Sequence, residues 1–198
     1  MIILYPTETL YALGVNALDE AAVEQLFALK GRDMLQHSSW LVRDVEDLKK
    51  YAHVPSKAEK IIEKFLPGSL TLILNANDKV PDFRRGTENE ISFRISSDPL
   101  TQKIIEAFME ENDAPLTCTS ANVHGAPTFS TPGEILQQFG EKAQRIEKIY
   151  DDGPRKALAS TIVRIIDDTV TILREGDISE EEIRRVSGEV VSAQQDKR

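Results

Sequence analysis

The sequence predicts a single α/β domain. Short apolar runs typical of buried strands alternate along the chain with segments that have the apolar spacing of helices. The 198 residues are enough for one large core, and 40% of them are hydrophobic and 29% charged, as in ordinary globular proteins. Because no repeat, low-complexity tract or linker divides the chain, we assign residues 1–187 to the domain and 188–198 to a polar tail.

The strands are predicted from apolar runs that turn residues interrupt. Residues 2–4 form the first run, which ends at Tyr5 and Pro6. Residues 160–166 and 170–173 are joined by a short polar turn and predict a hairpin. The other predicted strands are 40–42, 70–74, 91–95, the short lead 114–116 and 146–150.

The first helix is predicted at residues 19–29. Asp19 is a suitable N-cap, and Gly31 suits a left-handed helix end. Lys30 and Arg32 flank this glycine, and we expect both to lie at the surface, where the helix ends. The helix macrodipole alone favours cations at this position, but both side chains could also reach one polyanion.

Cap residues mark further helices. Ser56 followed by Glu59 predicts an N-cap with a capping box, and Thr131 followed by Pro132 predicts an N-cap with proline at the first helical position. The predicted helices are 45–51, 56–65, 98–109, 132–139 and 178–186, the last capped by Ser179 or Asp177.

Composition excludes several classes of function. The net charge of −9 argues against a broad nucleic-acid-binding face, although a small anionic ligand needs only a few local cations. The single cysteine, Cys118, excludes an internal disulfide and a cysteine-based zinc site; we expect it to be buried, with a catalytic thiol as the minor alternative. No apolar run approaches the ~18 residues of a membrane span, and the chain enters a strand at once, so we expect a cytoplasmic protein.

A hydroxyl-rich loop at residues 117–125 is the chain's most distinctive stretch. It contains Ser120 and Asn122 and ends at Gly125. Such side chains donate hydrogen bonds without adding charge, and glycine lets a backbone approach an anion closely. The loop could therefore cradle phosphate oxygens, or it could be a polar surface turn.

Other segments leave two interpretations open. Glu8 is either exposed on a turn or part of the wall of a polar pocket, and Arg94, late in its strand, is either a rim residue or aimed at a ligand. We interpret residues 84–86 (RRG) as a solvated loop. Residues 151–154 (DDGP) are typical of a plain turn, with a metal site as the alternative.

Five short motifs together resemble the YrdC/TsaC family of threonylcarbamoyl-AMP synthases. They are 5–14 (YPTETLYALG), 30–32 (KGR), 67–71 (PGSLT), 120–122 (SAN) and 160–163 (STIV). Each motif is weak alone, but their order and spacing match the family from residue 3 to about residue 186. The resemblance implies a YrdC-like twisted, open mixed sheet with flanking helices around a concave cavity.

The resemblance also implies an activity. Family members condense L-threonine, bicarbonate and ATP, with Mg²⁺ as the phosphate counter-ion, into threonylcarbamoyl-AMP and pyrophosphate. A separate transferase then uses the product to modify tRNA, so this chain would contact tRNA only weakly or indirectly. No protein-bound metal and no membrane association are expected.

The family pattern assigns roles to individual residues. Lys30 and Arg32 are the expected catalytic residues and would bind the ATP phosphates. The other ATP-binding residues would be Ser120, Asn122, Ser130 and Arg174. Thr9, Arg94 and Ser160 would bind threonine, with Arg94 pairing with its carboxylate.

The sequence departs from the family at several positions. Asp33 replaces a proline beside the two cations, and His37-Ser38 replaces Pro-Leu. The remaining departures are Ala12 for glycine, Ser96 for proline, Arg164 for an acidic residue, and the lack of a helix ahead of the first strand.

Two alternatives follow. Asp33 favours a diverged module that binds nucleotide or RNA without making the adenylate. The other alternative is carbamoyl transfer, as in the related domain of hydrogenase maturation proteins, which normally carry additional domains.

Overall fold

The computed structural model describes residues 1–33, 38–86 and 88–192. The described strands form one mixed sheet in the order β10-β9-β8-β4-β5-β3-β6-β2-β1-β7. Their bounds are β1 Ile2–Tyr5, β2 Ala12–Gly14, β3 Ser39–Leu41, β4 Leu70–Asn75, β5 Glu90–Arg94, β6 Leu116–Ser120, β7 Ile146–Ile149, β8 Thr161–Ile166, β9 Thr169–Arg174 and β10 Val191–Ser192. This mixed α/β architecture confirms the predicted fold class.

The helices pack on the sheet in separate groups. Their bounds are α1 Glu20–Lys30, α2 Val45–Lys49, α3 Ser56–Phe65, α4 Pro99–Asn112, α5 Pro132–Phe139 and α6 Glu180–Ser187, with 3₁₀ turns at Asp82–Arg84 and Gly140–Arg145. Helices α1 and α5 cover one side of β1 and β2, and α4 covers the other side. The β1 residues alternate between these two cores, as a strand buried on both faces requires.

The first helix ends as its sequence predicts. The Asp19 carboxylate accepts a hydrogen bond from the Ala22 N–H, and Gly31 adopts a φ of 65° at the C-terminal end. This left-handed residue turns the chain so that Lys30 and Arg32 leave the helix close to β6.

The predicted cap of α3 is wrong. Pro55 occupies the N-cap position without a side-chain hydrogen bond, and Ser56 is the first helical residue. The Asp168 carboxylate, on the β8–β9 turn, instead accepts hydrogen bonds from the Lys57 N–H at 2.9 Å and from the Ser56 hydroxyl. A residue distant in sequence therefore takes the role that the local pattern assigned to Ser56.

Two other segments also differ from expectation. Arg84, interpreted as part of a solvated loop, is 1% exposed. Val190 packs in the main core and Val191–Ser192 pairs with β9, although residues 188–198 were expected to form a polar tail. Residues 193–198 lie outside the described part of the chain.

Candidate active site

A cavity of about 310 Å³ lies against the sheet between the β1–β2 loop and the β6, β8 and β9 strands. Hydroxyl and guanidinium groups form about half of its walls, and apolar side chains form the rest. The polar lining residues include Thr9, Arg32, Ser38, Ser39, Thr71, Ser92, Arg94, Thr119, Ser120, Ser160 and Arg174. The sheet thus brings together side chains from distant parts of the chain.

Arg32 reaches this cavity from the end of α1. One guanidinium nitrogen, Nη1, donates to Thr119 Oγ1 on β6 at 3.2 Å, and the guanidinium carbon lies 5.4 Å from the centre of the Phe27 ring. Burial lowers the pKa of Arg32 from its usual value. The side chain is thereby held as a partly desolvated cation facing β6.

Lys30 is buried, not at the surface where we expected it. It is 2% exposed, and its Nζ donates to the carbonyl oxygens of Ser120 and Asn122, the latter at 2.8 Å, with Asn122 Oδ1 at 3.4 Å. Burial and the nearby Arg32 charge lower the pKa of Lys30 to about 7. In this arrangement Lys30 fixes the hydroxyl loop with its own hydrogen bonds.

The hydroxyl loop is also tied together internally. Ser120 Oγ donates to Asn122 Oδ1 at 2.6 Å, and Asn122 Nδ2 donates to the Ala126 carbonyl oxygen at 2.7 Å. The His124 N–H donates to the Lys30 carbonyl oxygen at 2.8 Å. Ser120 is exposed and lines the cavity. The hydrogen bonds of the loop set its position relative to α1.

A second cationic group lies around Arg94. Its Nη2 donates to Thr9 Oγ1 at 3.2 Å and to the Glu8 carboxylate, whose other oxygen accepts from Ser96 Oγ. Glu8 is therefore not an exposed turn residue: its side chain is 13% exposed and pairs with Arg94, which lines the cavity, although Glu8 is not itself one of the lining residues. We predicted that Arg94 would pair with the carboxylate of bound threonine. In the structure it pairs with the Glu8 carboxylate of the protein itself.

Ser160 contacts two further residues that line the cavity, Thr71 and Arg174. Its hydroxyl lies 2.8 Å from Thr71 Oγ1, and its carbonyl oxygen accepts from Arg174 Nη2 at 2.7 Å. Burial and the nearby Arg94 charge lower the pKa of Arg174. Arg174, assigned to the nucleotide, thus lies among the residues assigned to threonine.

Ser130 does not line the main cavity. It lies in a neighbouring depression of about 280 Å³ that shares Leu10 with the main cavity and is also lined by Arg155 and Lys156. Its carbonyl oxygen accepts from the Arg155 N–H at 2.9 Å. A ligand would have to extend past Leu10 to contact both sites.

Within the described residues, no cluster of three or more His, Cys, Asp or Glu side chains could hold a metal ion. The Asp151 and Asp152 carboxylates bind protein groups: Asp151 accepts from the Gly153 N–H at 3.0 Å, and Asp152 pairs with Arg155 at 2.6 Å. These contacts are those of a structured turn. No helix in the described parts of the chain is long and apolar enough to cross a membrane.

Comparison with known proteins assigns the family. The profile of the Sua5/YciO/YrdC family, described as telomere recombination, matches residues 1–176. A relative from Methanocaldococcus jannaschii, provisionally named a threonylcarbamoyl-AMP synthase, is 36% identical over 93% of this chain and 84% of its own length. The chain belongs to the Sua5/YciO/YrdC family.

Solved structures of the Sua5/YciO/YrdC family share the fold. Pyrococcus abyssi Sua5 complexed with L-threonine has a TM-score of 0.86 and 32% identity, covering 96% of this chain but 55% of that one. Escherichia coli YciO has a TM-score of 0.79 and 27% identity, covering 92% of this chain and 86% of that one. The chain therefore spans about half the length of Pyrococcus abyssi Sua5 and most of the length of YciO.

The departures from the Sua5/YciO/YrdC pattern have distinct surroundings. Ser96 is fully buried and holds Glu8, and Ala12 lines the cavity. Arg164 pairs with Glu90 at 2.7 Å and with Glu88, away from the predicted site residues. Asp33 is exposed, and His37 lies outside the described residues.

Sequence reasoning missed several cavity residues. Thr71 belongs to a quoted motif but had no assigned role, and Thr119 lies in the hydroxyl loop directly before Ser120. Ser38 appeared only as a departure from the family. Arg84, which bonds to Ser38 but does not itself line the cavity, gave no usable signal, because Ser38 lies 46 residues away.

Proposed function

We propose that this chain is an L-threonylcarbamoyladenylate synthase, a nucleotidyltransferase that uses L-threonine, bicarbonate and ATP. One observation carries the proposal: a single cavity is lined both by hydroxyls around Arg94 and by Arg32 with Ser120. An amino acid and a polyphosphate could therefore meet there. Similarity to Sua5, whose structure contains L-threonine, supports the amino-acid half of the proposal.

The group around Arg94 suits a small hydroxylated amino acid. Thr9, Thr71 and Ser160 offer hydroxyls that can both donate and accept, and Arg174 offers a guanidinium without a carboxylate partner among the described residues. Since Glu8 already neutralises Arg94, the ligand carboxylate would be shared between Arg94 and Arg174. This arrangement would orient the amine toward the rest of the cavity.

The group around Arg32 suits phosphate oxygens. Bicarbonate and the neutral threonine amine would first give a carbamate and water. A carbamate oxygen would then bond to the α-phosphorus of ATP, the bond from that phosphorus to the bridging oxygen would break, and pyrophosphate would leave. Arg32 would stabilise the charge that spreads over the phosphoryl oxygens. The Ser120 hydroxyl, after turning away from Asn122 Oδ1, and the second N–H of Asn122 Nδ2 would add hydrogen bonds. Mg²⁺ would enter with ATP as part of the substrate.

The proposed product is an activated intermediate for tRNA modification. A separate transferase would receive it and carry out the transfer to tRNA. The net charge of −9 agrees with a chain that does not itself grip a nucleic acid. The proposed setting is the cytoplasm.

A labelled-substrate assay tests the proposal. Isotope-labelled L-threonine, ATP, Mg²⁺ and bicarbonate should give a labelled acyl-adenylate and an equal amount of pyrophosphate. Omission of threonine or bicarbonate should abolish pyrophosphate release. Arg32→Gln should reduce turnover at least about 100-fold, since it removes a charge-assisted contact to the reacting phosphates, whereas the exposed-surface control Arg185→Gln should not.

The second candidate is a nucleotide- or RNA-binding module without synthase activity. Asp33, which places a carboxylate directly after Arg32 and three residues after Lys30, favours it. Under this alternative ATP would bind, but threonine and bicarbonate would not stimulate pyrophosphate release. The same assay therefore separates the two candidates.

A further inference from the structure

Arg84 is a buried cation that the proposed mechanism does not use. It ends the 3₁₀ turn Asp82–Arg84 and is 1% exposed. Its Nη2 donates to the carbonyl oxygen of Ser38 at 2.9 Å and to the hydroxyl oxygen of Ser38 at 3.0 Å. Both bonds reach a residue that lines the main cavity next to Arg32.

The charge of Arg84 has no counter-charge among the described residues. Across residues 1–33, 38–86 and 88–192, no carboxylate pairs with Arg84, and its buried Nε has no hydrogen-bond partner. Burial and the nearby Arg32 charge lower the pKa of Arg84 to about 10, so it stays protonated at neutral pH. Burying a guanidinium beside another cation is unfavourable unless an anion compensates for it.

Ser38 can transmit this charge to the cavity. Because Ser38 Oγ accepts a hydrogen bond from Arg84, its own proton remains available as a donor. No acceptor for that proton is found among the described residues. A hydroxyl polarised by a cation behind it is a strong donor for an anionic oxygen.

We propose that Arg84 and Ser38 complete, with Arg32, the subsite that binds the polyphosphate. Arg84 is a positioning residue: it fixes Ser38 and raises the positive potential, while Ser38 and Arg32 contact the phosphate oxygens. This assignment rests on the proposed function only for the identity of the ligand. It also gives a role to Ser38, one of the departures from the family pattern.

Binding of inorganic tripolyphosphate, measured by calorimetry without threonine, tests the assignment. Arg84→Gln should weaken binding about ten-fold or more, as expected for the loss of a buried charge acting on an anion. Arg84→Lys should recover part of the affinity for tripolyphosphate, since lysine keeps the charge but not the hydrogen-bonding geometry of the guanidinium group. The matched control is Arg85→Gln, which removes the neighbouring arginine. Arg85 bonds to Val80 and Asn89 instead of Ser38. The Arg85→Gln variant should therefore bind tripolyphosphate within about two-fold of the parent.

Salt dependence separates an electrostatic role from a purely structural one. Affinity for tripolyphosphate should fall less steeply with ionic strength in Arg84→Gln than in the parent, and Arg84→Lys should restore the parent slope. A purely structural role would lower the midpoint of thermal unfolding while leaving the affinity of the folded protein and this slope unchanged. That result would overturn the proposal, as would a parent protein that does not bind tripolyphosphate.

Ser38→Ala covers the case in which Arg84→Gln does not fold. It keeps the guanidinium but removes the donor, so tripolyphosphate should bind about three- to ten-fold more weakly. Unchanged affinity in Ser38→Ala would also reject the assignment. Because none of these measurements needs turnover, they remain decisive even if the labelled-substrate assay gives no acyl-adenylate.

Discussion

The Lys30 Nζ donates a hydrogen bond to the Asn122 carbonyl oxygen at 2.8 Å, linking residues 92 positions apart. With the second bond to the Ser120 carbonyl oxygen, it joins the end of α1 to the hydroxyl loop. The orientation of that loop, and with it the exposed Ser120 hydroxyl, therefore depends on a buried lysine.

Lys30→Ala should destabilise the fold as well as impair binding. It leaves two carbonyl oxygens without their donor, and a buried unsatisfied group costs about 1–3 kcal/mol. We expect the free energy of unfolding in urea to fall by about 2–4 kcal/mol. Lys49→Ala, which removes an exposed lysine paired with Glu46, should change it by less than about 0.5 kcal/mol. An unchanged urea midpoint for Lys30→Ala would contradict the structural role of Lys30.

Lys30 should also make stability depend on pH. Its pKa is about 7 in the folded protein and 10.5 in the reference state, so between these values the unfolded chain binds more protons. Stability from this group should therefore rise as pH increases from about 7 to about 10, by at most about 1.4 kcal/mol per pH unit. A neutral amine still has two N–H groups for the two carbonyl oxygens.

The pH prediction is measured as a difference between two proteins. Urea unfolding of the parent and of Lys30→Met is compared at about pH 7 and about pH 9, so that other titrating groups cancel. The parent should gain stability relative to the variant as pH rises. A difference that stays constant, or one that shrinks, would show that Lys30 keeps an ordinary pKa.

Arg94→Lys and Arg32→Gln should have opposite binding defects. Arg94 contacts Thr9 and Glu8, whereas Arg32 contacts Thr119. Arg94→Lys should weaken L-threonine binding about ten-fold, since lysine cannot reproduce the forked contacts, but should change tripolyphosphate binding by only about two-fold. Arg32→Gln should do the reverse.

Calorimetric titration of both variants with both ligands checks this division. If Arg94→Lys weakened the binding of both L-threonine and tripolyphosphate while its unfolding midpoint stayed the same, the two cationic groups would act as one site. It would also remove the basis for assigning threonine and phosphate to separate parts of the cavity.

Gly176→Ala should disturb Ser160 and Arg174 together. A Cβ at this position would lie 2.0 Å from the Ala159 carbonyl oxygen and 2.7 Å from the Ser160 carbonyl carbon. Relief of that overlap must move the backbone, at a cost of about 1–3 kcal/mol, and should weaken threonine binding. Gly133→Ala is the matched control, because a Cβ there meets nothing within 4 Å. Equal stability of the two variants in urea would contradict the close packing at Gly176.

Local sequence patterns predicted the elements that depend on local physics. The β1 run is apolar because α4 packs on one side of it and α1 and α5 on the other, and the α1 caps follow from Asp19 and Gly31. Family motifs singled out Arg32, Ser120, Thr9 and Ser160, and the wider resemblance to the family added Arg94; all five line one cavity. Their individual roles stay predictions.

The errors share a physical cause. Arg84 looked solvated because its neighbours are polar, yet its hydrogen-bond partner is Ser38. Ser56 looked like a cap, but Asp168 reaches the same helix end from the β8–β9 turn. Lys30 was expected at the surface because helix ends usually are, whereas the hydroxyl loop covers it. In each case the decisive contact crosses tens of residues, which no local pattern records.

The register of β6 with its neighbours determines where the side chains at the cavity lie along the sheet. Cys118 lies opposite Ser39 on one side, and Thr119 and Ser120 lie opposite Leu13 and Ala12 on the other. Because these ladders hold β6 against β2 and β3, Thr119, the hydrogen-bond partner of Arg32, keeps a fixed place on the sheet. A one-residue shift of this register would move Thr119, and with it the contact that holds Arg32 at the cavity.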